Sequence, residues 1–133
     1  MKTALNAAGA PSPVGPYSHA QLVRMHGGQR MLFTSGQVAI DPATGKLTGE
    51  DVATQTAQVF RNLSAVLSAE DLTLADVVRT TVFLVDMTDF QAMNEVYAQH
   101  FSGSFPARST VAVRGLPLGA RVEIEAVAVG GDR

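Results

Sequence analysis

Apolar positions change their spacing along this chain, and each change marks an element. From residue 52 to 67, Val52, Gln55, Val59, Leu63, Val66 and Leu67 recur at helical spacing, with Thr48 or Asp51 placed to cap the start, which predicts a first helix. The run DVVRTTVFLV, residues 76–85, is dense in β-branched side chains and predicts a strand. Period 3.6 returns through Phe90, Met93, Tyr97 and Phe101 in TDFQAMNEVYAQHF, predicting a second helix.

On either side of these elements the pattern is shorter-ranged. Prolines 11, 13 and 16 and glycines 9 and 15 predict an irregular lead-in over residues 1–16. YSHAQLV and RMLFTSGQVAI flank RMHGGQ, whose Gly27-Gly28 pair suits positive φ, so a β-hairpin is expected there. DPATGKL reads as a second turn, with Pro42 and Gly45 at its special positions and a short strand or extended segment after it. Two strands, ARSTVAVR and ARVEIEAVAV, close the chain around GLPLGA. The order β-β-β-α-β-α-β-β predicts an α+β fold of one domain over residues 1–133, two helices covering one face of a mixed sheet.

Alternation along the last strand adds a further expectation. Val122, Ile124, Ala126 and Ala128 share the face predicted to lie under the helices, while Arg121, Glu123, Glu125, Val127 and Val129 share the other. That second face is half apolar, and Arg108, Thr110, Ala112 and Arg114 make a similarly mixed row in the strand before. Such a sheet is usually completed by another subunit, so an oligomer is expected.

Composition narrows the classes of function. With 133 residues, 46% hydrophobic and 17% charged, the chain has the balance of an ordinary globular protein. A net charge of −2 leaves no broad basic face, which argues against nucleic acid or an anionic membrane as the main partner. The absence of cysteine excludes disulfides and thiolate chemistry. MKTALNAAGAPSPVGPYS lacks a signal-like apolar core and no long apolar run follows, so a cytoplasmic location is expected.

Candidate chemistry is sparse. His19, His26 and His100 lack metal-ligand spacing, and no nucleophilic triad or phosphate-cradling glycine loop stands out. Arg108 remains, in FPARSTVAV, where Phe105-Pro106-Ala107 would hold the backbone while the guanidinium offers paired donors to a carboxylate. The alternative is a structural ion pair with Glu123, Glu125 or a helix acid. Glu123, between Val122 and Ile124, could become a proton acceptor if partly buried, or remain a solvated strand carboxylate. Tyr17, after PVGP, could aim its phenol at a ligand or serve the core. Ser35 and Gly36, in FTSGQ, could expose backbone groups to a ligand or mark a β-bulge. A hairpin across GLPLGA would set position 112 opposite 123 and leave Arg108 roughly 13 Å away along the strand. Arg108 and Glu123 are then either unrelated or brought together by a neighbouring subunit.

Five segments together, SPVGPYSHA, LFTSGQVAIDPATGKL, VVRTTVFLVDMTDFQAMNEVYAQHF, FPARSTVAV and LPLGARVEIEAVAV, resemble the RidA/YjgF family of reactive-intermediate deaminases collinearly over nearly the whole chain. The resemblance implies a chorismate-mutase-like homotrimer with sites between subunits. It also implies hydrolysis of unstable 2-imino acids, such as 2-iminopropanoate formed from 2-aminoacrylate, to 2-keto acids and ammonia, without cofactor or metal. By the same resemblance Arg108 grips the substrate carboxylate, and Glu123 positions water and manages protons. Tyr17 borders the imine, Ser35 beside Gly36 orients the ligand, and Asn94 shapes the cleft.

Three departures accompany the resemblance. Thr110 stands where some members carry cysteine, leaving a hydroxyl and backbone contacts. SAEDL replaces AAGL after the first helix, so Asp71 is expected to take the conformation of a capping glycine. The RMHGGQR hairpin is longer than usual. Two other functions compete: a non-catalytic trimer that binds small carboxylates as a sensor or stress holdase, needing Arg108 but not Glu123, and an endoribonuclease or translation inhibitor.

Overall fold

The computed structural model describes residues 1–131; the last two residues of the expected 1–133 span lie outside the described residues. Six strands and two helices follow one another as β1 (Lys2–Leu5), β2 (Ala20–Arg24), β3 (Arg30–Thr34), α1 (Val52–Ser68), β4 (Val77–Leu84), α2 (Phe90–Gln99), β5 (Ala107–Ala112) and β6 (Val122–Gly130). They form one mixed sheet in the order β1-β2-β3-β6-β4-β5. The predicted α+β class holds. No helix among the described residues is long and apolar enough to cross a membrane.

Both helices lie where their periodicity places them. Asp51 caps α1 by accepting the Thr54 N–H at 2.9 Å. Val59, Phe60, Leu63, Val66 and Leu67 are fully buried, and each such side chain contributes roughly 1.5–3 kcal/mol through removal from water. They pack on Val122, Ile124, Ala126 and Ala128, which form the buried face of β6 as the alternation predicts. At the C-terminus of α1, Asp71 takes φ 55°, the expected left-handed conformation of a residue that is not glycine.

The turns are mixed in outcome. Gly27 and Gly28 adopt φ of 77° and 78° between the paired β2 and β3, and Gly45 adopts φ 74° where Asp41 closes onto Lys46. β3 ends at Thr34, however, and the segment after the second turn makes only an isolated bridge, Ile40 to Leu47, rather than a strand. The lead-in is not wholly irregular either. Residues 2–5 form β1, antiparallel to β2, and Ala7 and Ala10 of the following loop are buried in the core. The predicted element string therefore agrees with the structure, but with one strand misplaced.

The larger correction concerns the last two strands, which do not form a hairpin. β5 pairs parallel with β4 at the sheet edge, and β6 pairs antiparallel with both β3 and β4. The chain runs β4-α2-β5, a parallel connection that needs the helix as its crossover. GLPLGA then carries it back over β4, with Leu118 at φ 59°. Position 123 is opposite Phe83, not 112, and Arg108 is opposite Thr80.

Candidate active site

Arg108 sits on the helix-covered side of the sheet, at its edge. Its strand partner Thr80 is buried, with a hydroxyl 2.7 Å from the phenol of Tyr97 in α2. The Arg108 guanidinium lies over the Tyr97 ring, 4.7 Å from its centroid, and 5.6 Å from that of Phe90. One terminal nitrogen donates to Asn94 Oδ1 at 2.8 Å. The structural ion pair weighed from sequence is not found: neither of the ion pairs among the described residues, Arg24–Glu70 and Arg121–Asp89, includes Arg108. It borders a cleft of ≈ 470 Å³ lined by Asn94, Tyr97, Ala98, Phe105 and Pro106. A guanidinium held by one amide and an aromatic bed keeps donors for a carboxylate arriving through that cleft.

Burial pushes the Tyr97 phenol above its ordinary pKa, against smaller downward pulls from the Thr80 hydrogen bond and the Arg108 charge. Tyr97 is therefore a neutral floor for the cation. Thr110, two residues along β5, shares this face, and its Oγ1 is buried with no hydrogen-bond partner among the described residues.

Glu123 occupies the opposite face. It alternates with the buried Val122 and Ile124 and lines a separate hollow of ≈ 190 Å³ with Val14, Tyr17, Ser35, Gly36 and Pro117. Burial, and then the neighbouring Glu125 charge, raise its carboxyl above the usual range. The carboxyl lies so close to the backbone at Gly36 that a Cβ there would stand 2.6 Å from Oε2, which only glycine avoids. Ser35 donates its hydroxyl to the Ser18 carbonyl at 2.6 Å. The Tyr17 phenol accepts the Val14 N–H at 3.2 Å and stays 41% exposed, so this tyrosine belongs to the surface of the hollow and not to the core.

The candidate residues thus fall into two groups: Arg108, Asn94 and Thr110 on the helix side, and Tyr17, Ser35, Gly36 and Glu123 on the other. Nothing within one chain brings the groups together. From sequence Phe90 and Tyr97 read only as the helix period, and Phe105–Pro106 only as a brace for the backbone before Arg108, not as a bed and wall for the guanidinium. A signal existed, since Asn94 interrupts the apolar stripe between Phe90 and Tyr97 at i+4 and i+7 spacing. Among the described residues no three His, Asp or Glu side chains converge as a metal site would require.

Comparison with known proteins places these features in context. The family model described as Endoribonuclease L-PSP matches residues 7–130. Protein DfrA of Myxococcus xanthus is 47% identical over 96% of this chain and 95% of its own length. The human protein named 2-iminobutanoate/2-iminopropanoate deaminase is 41% identical over 98% of this chain and 92% of its own. The crystal structure of an endoribonuclease candidate from Thermotoga maritima superposes with a TM-score of 0.89 at 45% identity, covering 99% of this chain and all of the other.

Proposed function

The chain belongs to the RidA/YjgF family, and on that premise we propose that it hydrolyses small 2-imino acids to 2-keto acids and ammonia at sites shared between the subunits of a homotrimer. The observation that carries this reading is the pairing of opposites across the sheet: a guanidinium without an acidic partner among the described residues on one face, and a raised carboxyl on the other. A neighbouring copy that presents its Glu123 hollow to the Arg108 cleft would complete one site from two halves.

The chemistry follows from the parts. Arg108 binds the substrate carboxylate through paired charge-assisted hydrogen bonds, each contributing about 1.5–3 kcal/mol. Asn94 and the Tyr97 ring keep the guanidinium in place, so orientation is set before the reaction begins. The iminium carbon is already electrophilic, and no covalent nucleophile is needed. Water adds to that carbon as Glu123 takes one of its protons, forming a carbinolamine. Glu123 hands that proton to the nitrogen and takes the hydroxyl proton as the C–N bond breaks, so that ammonia leaves and the C=O bond forms. A carboxyl raised by burial is a better acceptor near neutral pH than a solvated one.

The experiment generates imino acids in solution, with a serine or threonine dehydratase or an amino-acid oxidase, and follows keto-acid release with and without this protein. Faster release supports the reading, and no acceleration with any imino acid overturns it. The net charge of −2 gives no support to an RNA substrate. RNA cleavage that persists after Arg108→Ala would favour the endoribonuclease reading instead.

A further inference from the structure

His19 is only 3% exposed and closes the base of the loop 6–19 that carries Tyr17. Its Nδ1 accepts the backbone N–H of Ala7 at 2.8 Å, and its Nε2 meets the Pro11 carbonyl. A peptide N–H only donates and a carbonyl only accepts, so the ring is neutral with its proton on Nε2. The backbone of the same residue donates to Asn6 Oδ1 at 3.2 Å and accepts the Ser35 N–H at 2.9 Å.

We propose that His19 is a positioning residue for the reaction: held in one neutral tautomer, it sets the Tyr17 and Ser35–Gly36 wall against which Glu123 is placed. This rests on the deaminase reading. The loop contains three prolines and no strand or helix, so side chains must fix its shape. Ser35 ties the Tyr17–His19 run from one side through the Ser18 and His19 carbonyls. The His19 ring ties it from the other, through Ala7, itself buried in the core, and through Pro11, next to the buried Ala10. Arg108 and its cleft lie on the far face and share no hydrogen bond with this network. The consequence falls on the water-activating half of the site, not on the carboxylate clamp.

The test compares His19→Phe and His19→Gln in the full-length protein. Phenylalanine fills the space without bonding, whereas glutamine offers one acceptor and one donor. For His19→Phe, kcat should fall about tenfold or more with KM within about twofold, because an interaction made in the transition state is lost and ground-state binding is not. Amide exchange at Ala7 and Ser35 should quicken, and His19→Gln should restore most of both. Wild-type kcat in His19→Phe, a failure of glutamine to rescue, or unchanged exchange at Ala7 and Ser35 would each overturn the proposal. Should the phenylalanine variant not fold, the ring nitrogen NMR shifts of the wild type decide, since a proton on Nδ1 at neutral pH contradicts the assignment. If the wild type hydrolyses no imine, the deaminase reading fails by itself, and the exchange comparison still reports on the wall.

Discussion

Arg108 and Glu123 stand on opposite faces of one sheet, with β4 between their strands: Arg108 is opposite Thr80, and Glu123 is opposite Phe83 on the same β4. No rotamer change carries either side chain through the sheet. If both serve one small substrate, two chains must contribute, and the consequences can be measured residue by residue.

Glu123→Gln keeps the shape of the hollow and removes the proton acceptor. Keto-acid release should drop by about 10²–10⁴-fold, the usual contribution of a positioned general base. Binding of a 2-keto acid product, followed by calorimetry, should remain within a fewfold of wild type. A lost binding signal would show that Glu123 holds the ligand instead of activating water. A non-catalytic carboxylate binder would keep its ligand affinity and show no release in either form.

The pH dependence has a definite sign. Burial raises the folded-state pKa of Glu123, so the working carboxylate is lost, and kcat falls, as pH drops through that raised value. For stability the direction is opposite. The native state binds more protons than the unfolded one between the two values, so this group favours the fold below the unfolded value, and that contribution is lost as pH rises through the folded one. Melting curves of Glu123→Gln should show a flatter decline in Tm with rising pH across that window than wild type.

Gly36→Ala tests how closely the carboxyl is held. The added methyl would stand 2.6 Å from Glu123 Oε2, 2.7 Å from Cδ and 2.9 Å from Cγ, so the side chain must swing away from Cγ outward while the backbone stays in place. Folding should therefore survive with Tm within a few degrees, while kcat falls about 10²-fold from a displacement on the order of 1 Å. A variant with wild-type kcat would separate the carboxyl at Gly36 from the chemistry.

Asp71→Gly concerns stability alone. Asp71 holds φ 55° at the end of α1, where a left-handed L-residue costs about 1–2 kcal/mol and glycine loses about 0.5–1 kcal/mol in chain entropy. The net gain of roughly 0.5 kcal/mol should raise Tm by about 2 °C with no change in kcat. A lower Tm would mean that the aspartate makes an unseen contribution to the cap.

What could be read from sequence depended on the range of the interaction. The buried face of α1, the Asp51 cap, the positive φ of Gly27 and the alternation of β6 are all set within a few residues, and each is as expected. β5 was misread because GLPLGA has the composition of a turn, while its pairing with β4 is decided by the α2 crossover, far away in sequence. β1 was missed for a related reason, since Lys2–Leu5 is short and gains its identity only by pairing with β2. In the candidate site, Arg108 and Glu123 stood out by residue type and family resemblance. Phe90 and Tyr97 did not, because an aromatic residue at helical spacing serves a core and a cation bed equally well, and only the fold brings Arg108 over them.

The most direct measurement mixes two inactive proteins. Arg108→Ala and Glu123→Gln subunits are unfolded together, refolded in equal amounts, and assayed for keto-acid release once mixed trimers are verified by native mass spectrometry. If each site takes Arg108 from one subunit and Glu123 from its neighbour, half the subunits supply each intact partner, and about one quarter of wild-type activity should return. Mixed trimers no more active than the two parents would contradict the shared site.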